Sequence, residues 1–285
     1  MTEIITAAPV VEKAVSELQL HCDNLKKAGI HPLMKVILVG EHRPSLVYTA
    51  NKKRFCERFG AKCDIVKLSV DVKKEVFFRQ IENMARDDKV HGCFVQLPLP
   101  EHLAKTDFVR LIPPHKDVDG MGAVNFFQLA CGDKGKRALL PCTPKGIISL
   151  LHHYKIPISG KNVVIVGRSM IVGRPMALLF SNYDATVTLC HSKTVNLPEI
   201  TKTADILVLA VGKANLIDSS YIEKKRKTFI VDAGINNIDG KLCGDVNYED
   251  VFSKVAGITP VPGGVGPMTI LSLARNFLQA AQNTL

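Results

Sequence analysis

The fold of the second half of the chain is indicated by residues 161–180, KNVVIVGRSMIVGRPMALLF. An apolar run ends at Gly167, and an apolar pattern with helical spacing follows Gly173, which indicates strand, turn and helix. The spacing of the two glycines is not the GxGxxG of the standard dinucleotide fingerprint. A glycine after a strand nevertheless allows a tight turn, and free N–H groups at a helix N-terminus can bind a pyrophosphate. The stretch therefore favours a nucleotide site, with an ordinary strand-to-helix turn as the alternative.

The next strand, ATVTLC at 185–190, indicates which dinucleotide would bind. NAD-binding Rossmann domains place an acidic residue at the end of the second strand, where it holds the ribose 2′-hydroxyl. Here the residues at 191–194 are HSKT, and none of them is acidic. A cation from Arg168 and a hydroxyl from Ser192 would suit a 2′-phosphate instead. The sequence therefore predicts NADP rather than NAD as the cofactor.

Helix and strand patterns alternate along most of the chain. Strands are predicted at 34–39, 63–68, 93–97, 163–167, 185–190, 206–212 and 229–234, and helices at 10–27, 45–59, 72–86, from 143, and at 269–281. Ser45 and Thr143 are predicted to be N-caps of their helices. Such alternation is typical of parallel sheets covered by helices. We therefore predict an α/β fold with two α/β domains, whose boundary lies within 120–140.

The composition limits the classes of function. The 285 residues are 46% hydrophobic and 22% charged, which is enough to bury one large core or two moderate ones. The eight cysteines form no CxxC pair and the nine histidines have no zinc-type spacing, so we expect reduced thiols and no metal site. The sequence has neither a secretion signal nor a membrane span. These features predict a cytoplasmic protein with no membrane partner.

The net charge of +10 does not indicate a nucleic-acid partner. The basic clusters are short, KKR at 52–54 and KKRK at 224–227, whereas a nucleic-acid face needs denser clustering. Attraction of a small anionic ligand is the better use of this charge, and ordinary solvated lysines are the alternative.

Ser45, Tyr48 and Lys52 share one face of the helix predicted at 45–59. Taken alone, a lysine one turn beyond a tyrosine favours a solvated helix face. Short-chain dehydrogenases use YxxxK for catalysis, but there the pair lies downstream of the glycine-rich turn. Here it lies more than 100 residues upstream of Gly167, and this order excludes that class.

Nine motifs in a fixed order point to a different family. They are VGEHRPSLVYTANK (39–52), VQLPLP (95–100), KDVDG (116–120), PCTPKG (141–146), GRSMIVGRP (167–175), CHSKT (190–194), DAGIN (232–236), GDV (244–246) and TPVPGGVGPMT (259–269). Together they resemble the bifunctional methylenetetrahydrofolate dehydrogenase/methenyltetrahydrofolate cyclohydrolases of the bacterial type. The resemblance covers roughly residues 34–285. It implies oxidation of 5,10-methylenetetrahydrofolate with NADP and hydrolysis of the methenyl product to 10-formyltetrahydrofolate, within one-carbon metabolism and purine biosynthesis.

The resemblance also implies the residues of the folate site. Tyr48 would stack on the pterin and p-aminobenzoate region, Lys52 would be the key residue of the cyclohydrolase step, and Gln96 would orient Lys52. Asp119 would hold the pterin's amino and ring N–H groups, although a turn residue in KDVDG is the alternative for it. The other expected folate contacts are Ser45, Val95, Leu97, Pro262, Gly263 and Gly266. The loop at 262–266 also fits a rigid interdomain connection.

The resemblance further implies where the cofactor binds and how the domains divide. The expected NADP contacts are Thr143, Gly167, Arg168, Ser169, Ser192 and Ile235. A folate-binding catalytic domain would span 1–121 and a Rossmann-type NADP-binding domain 122–266, with a cleft between them. The last helix, at about 267–285, would pack back on the first domain. The family further implies a homodimer.

Some positions depart from the family pattern. The first 33 or so residues lack its usual start, MGAVNFFQLA lacks a glycine often found after Asn125, and Met170 replaces a common polar residue. None of these changes removes a residue with an implied role. Two other hypotheses are a monofunctional relative and a regulatory module that senses NADP or binds nucleic acid. The presence of Lys52 with Gln96 and of the GRS and HSK cofactor segments argues against a monofunctional relative. The complete set of Tyr48, Lys52, Gln96 and Asp119 argues against a regulatory module.

Overall fold

The chain of this computed structural model is described for residues 1–284 and forms two compact units. The first contains Met1–Val11, Leu129–Lys136 and Thr143–Thr269, and we call it the six-stranded unit. The second contains Glu12–Gln128, Arg137–Cys142 and the chain from Ile270 onward, and we call it the three-stranded unit.

Helices and strands follow one another along the whole described chain. The first half contains β1 (Glu3–Ile4), α1 (Ala8–Lys27), β2 (Leu33–Val39), α2 (Arg43–Arg58), β3 (Lys62–Leu68), α3 (Lys74–Arg86), β4 (Gly92–Val95), α4 (Glu101–Ala104) and α5 (Ala123–Ala130). The second half contains α6 (Cys142–His153), β5 (Asn162–Val166), α7 (Gly173–Asn182), β6 (Thr186–Cys190), α8 (Leu197–Thr201), β7 (Ile206–Leu209), β8 (Phe229–Asp232), β9 (Asn236–Ile238), β10 (Lys241–Cys243), α9 (Tyr248–Val251), β11 (Gly257–Ile258) and α10 (Val265–Gln282). Short 3-10 turns lie at Phe108–Leu111, Ser219–Tyr221 and Phe252–Lys254.

The three-stranded unit is built on a parallel sheet in the order β3-β2-β4. Its central strand β2 is a nearly continuous apolar run, as expected for a strand that is covered on both faces. Ile37 of β2 packs with Phe77 and Ile81 of α3 in a cluster of buried side chains. All three strands are parallel, so the residues that follow β2 and β4 lie together at the carboxyl ends of the strands.

The six-stranded unit contains a parallel sheet in the order β1-β11-β8-β7-β5-β6. Val164, Leu207 and Ile230, from its three central strands, are fully buried in a common core. Strands β9 and β10 form a separate antiparallel hairpin. The predicted α/β class, with parallel sheets in two parts of the chain, is confirmed.

The first strand of the chain lies in the six-stranded sheet. Residues Met1–Val11 belong to the six-stranded unit because β1 pairs with β11. Tyr154, directly after α6, also holds this segment, since its hydroxyl donates to the Thr6 carbonyl at 3.0 Å.

The two predicted N-caps are wrong. Helix α2 begins at Arg43 after His42, so Ser45 lies inside its first turn, and α6 begins at Cys142, one residue before Thr143. In α2 a proline in the first turn, where no N–H partner is needed, allows the helix to begin before the serine.

The last helix contributes to the three-stranded unit from Ile270 onward. Asn276 of α10 is fully buried, and its Nδ2 donates to the carbonyls of Val118 at 2.9 Å and Leu140 at 2.8 Å. These bonds fix the chain just before Asp119. The sequence predicted this helix at about 267–285, and position 285 lies outside the described residues.

Candidate active site

The amino group of Lys52 is the centre of the candidate site in the three-stranded unit. Lys52 lies on α2 and is only 6% exposed. Its Nζ donates a 3.0 Å hydrogen bond to Oε1 of Gln96, which directly follows β4. The Nε2 of Gln96 donates at 2.7 Å to the carbonyl of Leu97, so the amide is held with its oxygen toward the lysine. The structure thus brings together two predicted residues that lie 44 positions apart.

Two aromatic rings complete the surroundings of Lys52. Nζ lies 4.2 Å from the ring centroid of Phe94, which is 2% exposed on β4. It lies 5.9 Å from the ring centroid of Tyr48, one turn earlier on α2. The role of Phe94 was missed by sequence reasoning, because an apolar residue in a buried strand looks like any other core residue.

The electrostatics of the site favour a neutral amine more than water does. Burial lowers the pKa of Lys52, and the carboxylate of Asp119 opposes part of that effect. The hydrogen-bond partner is the neutral amide of Gln96, which stabilises an ammonium group less than a carboxylate would. Burial raises the pKa of the Tyr48 phenol, so Tyr48 stays protonated at neutral pH. A lysine in these surroundings can accept and return protons.

Ser45 lies on α2 and is 3% exposed. Its hydroxyl lies 3.0 Å from Nδ1 of His42 and 3.4 Å from the carbonyl of Leu97. Ser45 therefore links the start of α2 to the segment after β4 that also carries Gln96.

Asp119 is half-buried, and the turn that follows it is held by the neighbouring Asp117. The buried carboxylate of Asp117 accepts hydrogen bonds from the N–H groups of Met121 and Gly122 and from Nδ2 of Asn125, at 3.2, 2.7 and 3.0 Å. Burial raises the pKa of Asp117, while the bonds from Asn125 and Gly122 lower it. Sequence reasoning recognised KDVDG as a motif but missed this role of its first aspartate.

The structure also brings Asp119 close to the end of β4. Val95, Leu97 and Asp119 line one small cavity together with Phe94. The predicted folate contacts before residue 120 thus lie on α2, at the end of β4, or in the cavity beside that end.

The glycine turn after β5 forms the second candidate site, in the six-stranded unit. Gly167 has a φ of 122°, and a Cβ there would lie 2.2 Å from the carbonyl oxygen of Ala210. A Cβ at Gly173, the first residue of α7, would lie 1.9 Å from the carbonyl oxygen of Gly167. No side chain fits at either position, so the strand, the turn and the helix start are packed backbone against backbone. This packing places the N-terminus of α7 directly beside the end of β5, and free N–H groups at a helix N-terminus can bind a pyrophosphate, so these residues fit a dinucleotide.

The remaining predicted cofactor residues follow the strands of the same sheet. Arg168 and Ser169 follow β5, Ser192 follows β6 and Ile235 follows β8, and all four are exposed. Parallel strands bring their carboxyl ends to one edge, which is where open α/β sheets bind ligands. The Oγ of Ser169 accepts a hydrogen bond from the N–H of Val172 at 3.1 Å, which shapes the turn before α7.

Thr143 and the proline–glycine loop belong to the same unit. The Thr143 hydroxyl lies 3.0 Å from that of Thr269 on α10. In the loop, the N–H of Gly264 donates to the carbonyl of Pro260 at 2.9 Å and Gly263 has a φ of 107°. Pro262 and Gly263 are exposed and Gly266 is half-buried.

No three histidine, cysteine, aspartate or glutamate side chains in residues 1–284 are grouped so that they could hold a metal ion. None of the described helices is both long enough and apolar enough to pass through a membrane.

Family models match nearly the whole chain. Residues 5–119 match the catalytic domain of the tetrahydrofolate dehydrogenase/cyclohydrolase family, and residues 141–285 match its NAD(P)-binding domain.

Curated relatives and solved structures give the same result. The chain is 43% identical to the bifunctional protein FolD of Halalkalibacterium halodurans over 98% of both chains. It is 48% identical to that of Ligilactobacillus salivarius over 91% of this chain and 90% of the relative. The FolD structure from Campylobacter jejuni has a TM-score of 0.96 at 40% identity and covers all of both chains. A Trypanosoma brucei enzyme, solved with NADP cofactor and an inhibitor, has a TM-score of 0.93 at 31% identity over 99% of this chain and 98% of that one.

Proposed function

Because the chain belongs to the tetrahydrofolate dehydrogenase/cyclohydrolase family, we propose that Lys52, Tyr48, Gln96 and Asp119 carry out its folate chemistry. The protein oxidises 5,10-methylenetetrahydrofolate to the 5,10-methenyl cation and hydrolyses that cation to 10-formyltetrahydrofolate. NADP, when bound, supplies the hydride acceptor. The observation that carries the assignment of residues is the hydrogen bond between the buried amine of Lys52 and the neutral amide of Gln96.

The dehydrogenase step needs positioning more than it needs a base. The methylene carbon loses a hydride with its electron pair, and the cation that remains is delocalised over the two neighbouring nitrogens. No proton leaves the folate in this step, so side chains contribute by orienting the substrate. Tyr48 offers a ring for stacking beside Lys52, and Asp119 offers a carboxylate that suits the paired N–H donors of the pterin edge.

The cyclohydrolase step needs a group that moves protons. Water adds to the methenyl carbon, and Nζ of Lys52 accepts a proton from it. The bond between that carbon and N5 then breaks as Lys52 returns the proton to N5. The hydroxyl group on the carbon loses its proton to solvent in the same step, which leaves the formyl group on N10. The lowered pKa of Lys52 makes the neutral amine available for the first transfer, and the cationic substrate lowers it further. Gln96 holds Nζ in place without trapping it as ammonium.

We assign the NADP site to the turn after β5 and the ends of the neighbouring strands. Gly167 and Gly173 allow the turn to pack closely so that the N-terminus of α7 can bind the pyrophosphate, and Ser169, Thr143 and Ile235 are further contacts. Arg168 and Ser192 are exposed after β5 and β6, and no acidic residue stands at 191–194. This set favours the 2′-phosphate of NADP over the free hydroxyl of NAD.

The rest of the proposal concerns the folate loop and the cellular setting. We assign Pro262, Gly263 and Gly266 to the folate site, together with Ser45, Val95 and Leu97. We keep 1–121 and 122–266 as the functional division, with the last helix belonging to the first part. The protein acts as a homodimer in the cytoplasm and supplies a one-carbon donor for purine biosynthesis.

An assay of the purified protein tests both activities at once. Protein, methylenetetrahydrofolate and NADP are mixed, and NADPH, the methenyl absorbance and its decay to formyl product are followed. We expect NADPH and formyl product, with much slower turnover when NAD replaces NADP at the same concentration. Absence of NADPH would refute the dehydrogenase, and equal rates with NAD would refute the cofactor assignment.

Replacement of Lys52 tests its role separately. We expect Lys52→Met to lower the cyclohydrolase rate at least about a hundredfold, because proton transfer contributes on that scale. The exposed neighbour Lys53, which pairs with Glu57 at 3.9 Å, provides the control Lys53→Met with an unchanged rate. A cyclohydrolase rate of Lys52→Met equal to that of the wild type would remove Lys52 from the mechanism.

A further inference from the structure

Two buried carboxylates lie in the unit that carries the proposed NADP site, one at the end of β8 and one after β10. Asp245 follows β10 and is 0% exposed, and Asp232 ends β8 and is 3% exposed. A carboxylate buried this deeply is costly unless hydrogen-bond donors satisfy its oxygens. Neither residue belongs to the set assigned above to substrate or cofactor.

Asp245 receives donors from two different loops. Its Oδ2 accepts hydrogen bonds from the N–H groups of Val211 and Gly212 at 2.7 and 3.1 Å. Its Oδ1 accepts from the N–H of Lys213 at 2.8 Å and from Nδ2 of Asn236 at 3.0 Å. One side chain therefore ties the segment that follows β7 to the segment that follows β8.

Asp232 holds the backbone of Asp245 in turn. Its Oδ1 accepts from the N–H groups of Gly234 at 2.9 Å and Asp245 at 3.1 Å, and its Oδ2 accepts from Val246 at 2.9 Å. Asp232 thus holds the segment that contains Asp245, and Asp245 holds Asn236 in the segment that follows Asp232.

The carboxylates leave no space for a side chain at Gly234 of the motif DAGIN or at Gly244 of the motif GDV. A Cβ at Gly234 would lie 2.2 Å from Cγ of Asp245, and a Cβ at Gly244 would lie 2.0 Å from Oδ2 of Asp232. A side chain at either glycine would push a carboxylate away from its donors. Both motifs are therefore parts of one hydrogen-bonded cluster.

This cluster borders the turn that is proposed to bind the pyrophosphate. The segment held by Asp245 continues from Ala210, whose carbonyl oxygen occupies the space of a Cβ on Gly167. On the other side, Asn236 directly follows Ile235, a proposed NADP contact. A shift of the 211–213 backbone would therefore reach both the glycine turn and Ile235.

We propose that Asp245 is a positioning residue of the dehydrogenase reaction, which holds the loops after β7 and β8 in the shape that binds NADP, with Asp232 fixing Asp245. This role rests on the proposed function. Asparagine at 245 would present an amide NH₂ to at least one backbone N–H, leaving that donor without an acceptor. The loops would then lose their common anchor while the three-stranded unit keeps Lys52 and Gln96 unchanged.

The two activities allow a sharp test with Asp245→Asn. Dehydrogenase rates are measured against NADP concentration, and cyclohydrolase rates are measured on methenyltetrahydrofolate without NADP. We expect the KM for NADP to rise about tenfold or more, because several charge-assisted hydrogen bonds are lost. The KM for methylenetetrahydrofolate and the cyclohydrolase kcat stay within about twofold of wild type.

Two further variants keep the test decisive. Asp218→Asn makes the same chemical change at a half-buried aspartate of the same unit, whose carboxylate accepts from the N–H and the hydroxyl of Ser220, and leaves the KM for NADP unchanged. Asn236→Ala removes a single donor from Asp245 and is expected to raise the KM for NADP about threefold, even if Asp245→Asn fails to fold. An unchanged KM for NADP in the folded variants, with an active wild type, overturns the role of Asp245. An inactive wild type overturns the proposed function instead.

Discussion

The charge state of Lys52 is set by opposing influences on a single amino group. Burial favours the neutral amine, whereas Asp119 and the ring of Phe94, 4.2 Å from Nζ, favour the ammonium form. The neutral amide of Gln96 leaves this balance nearly unchanged. A carboxylate at position 96 would disturb it most directly, because it would lie at hydrogen-bond distance from Nζ.

We expect Gln96→Glu to move the cyclohydrolase pH profile to higher pH by at least about one unit, since a carboxylate in contact raises a lysine pKa. At pH 7 the rate would fall because Lys52 is trapped as ammonium. The measurement is the rate of methenyl decay against pH, after subtraction of the uncatalysed reaction. Gln19→Glu, on the exposed face of α1, is the matched control. A profile of Gln96→Glu that coincides with wild type would mean that residue 96 does not control the charge of Lys52.

Single residues were predictable from the sequence when a motif carried them. Lys52 and Gln96 were named from the family resemblance, and the structure places them 3.0 Å apart. Phe94 was not named, because its function depends on which polar group faces its ring. Asp117 and Asp245 were visible only as motif letters, since the N–H groups that they bind lie in loops whose course the sequence does not specify.

Strands and helices were predictable where the apolar pattern was long. Strands β2 to β8 were predicted within three residues of their observed bounds, and the largest difference is that the strand predicted at 206–212 ends at Leu209. Strands β1 and β11 were missed because two residues carry no periodicity and exist only through their pairing. Helix α5 and the β9–β10 hairpin were missed because neither has a strong pattern of its own.

Strand β8 ends in an aspartate whose ionisation is linked to stability. Burial raises the pKa of Asp232 to about 6 from 3.8, against the opposing effect of its backbone donors. The folded protein therefore binds this proton more tightly than the unfolded chain. The stabilising contribution is complete below about pH 4 and is lost as the pH rises through about 6.

We expect the free energy of unfolding of wild type, minus that of Asp232→Asn, to rise by roughly 3 kcal/mol between pH 7 and pH 4, as a shift of about two pKa units implies. Denaturant titrations of both proteins across this range give the difference. Because Asn does not titrate, other groups cancel. The variant Asp218→Asn, at a half-buried carboxylate of the same unit, serves as reference. A difference that stays constant with pH would show that Asp232 has an ordinary pKa.

The division of the whole chain could be predicted only in outline. The two halves were recognised, and the family models cover residues 5–119 and 141–285. The compact units nevertheless exchange short segments, such as Leu129–Lys136 and Arg137–Cys142. Segments of this length carry no signal of their own, because their membership depends on long-range contacts.

At the scale of the assembly, we expect a particle of twice the chain mass of 31.2 kDa. Homodimers are the commonest symmetric assembly, and the family resemblance implies one here. Light scattering coupled to size exclusion, at several protein concentrations, measures the mass directly. A mass of one chain at every concentration would contradict the dimer. The Asp245→Asn variant should keep the wild-type mass, because its change lies within one unit.

The pairing of β1 with β11 joins the beginning of the chain to a strand near its end. The hydroxyl of Thr2 donates to the carbonyl of Val255 across 253 residues. A ribosome adds about 5–20 residues per second, so the first strand waits roughly 10–50 s for its partner during synthesis. The sheet can be completed only after β11 has been synthesised. The nascent chain must therefore keep β1 unpaired while the roughly 250 residues between the two strands are added.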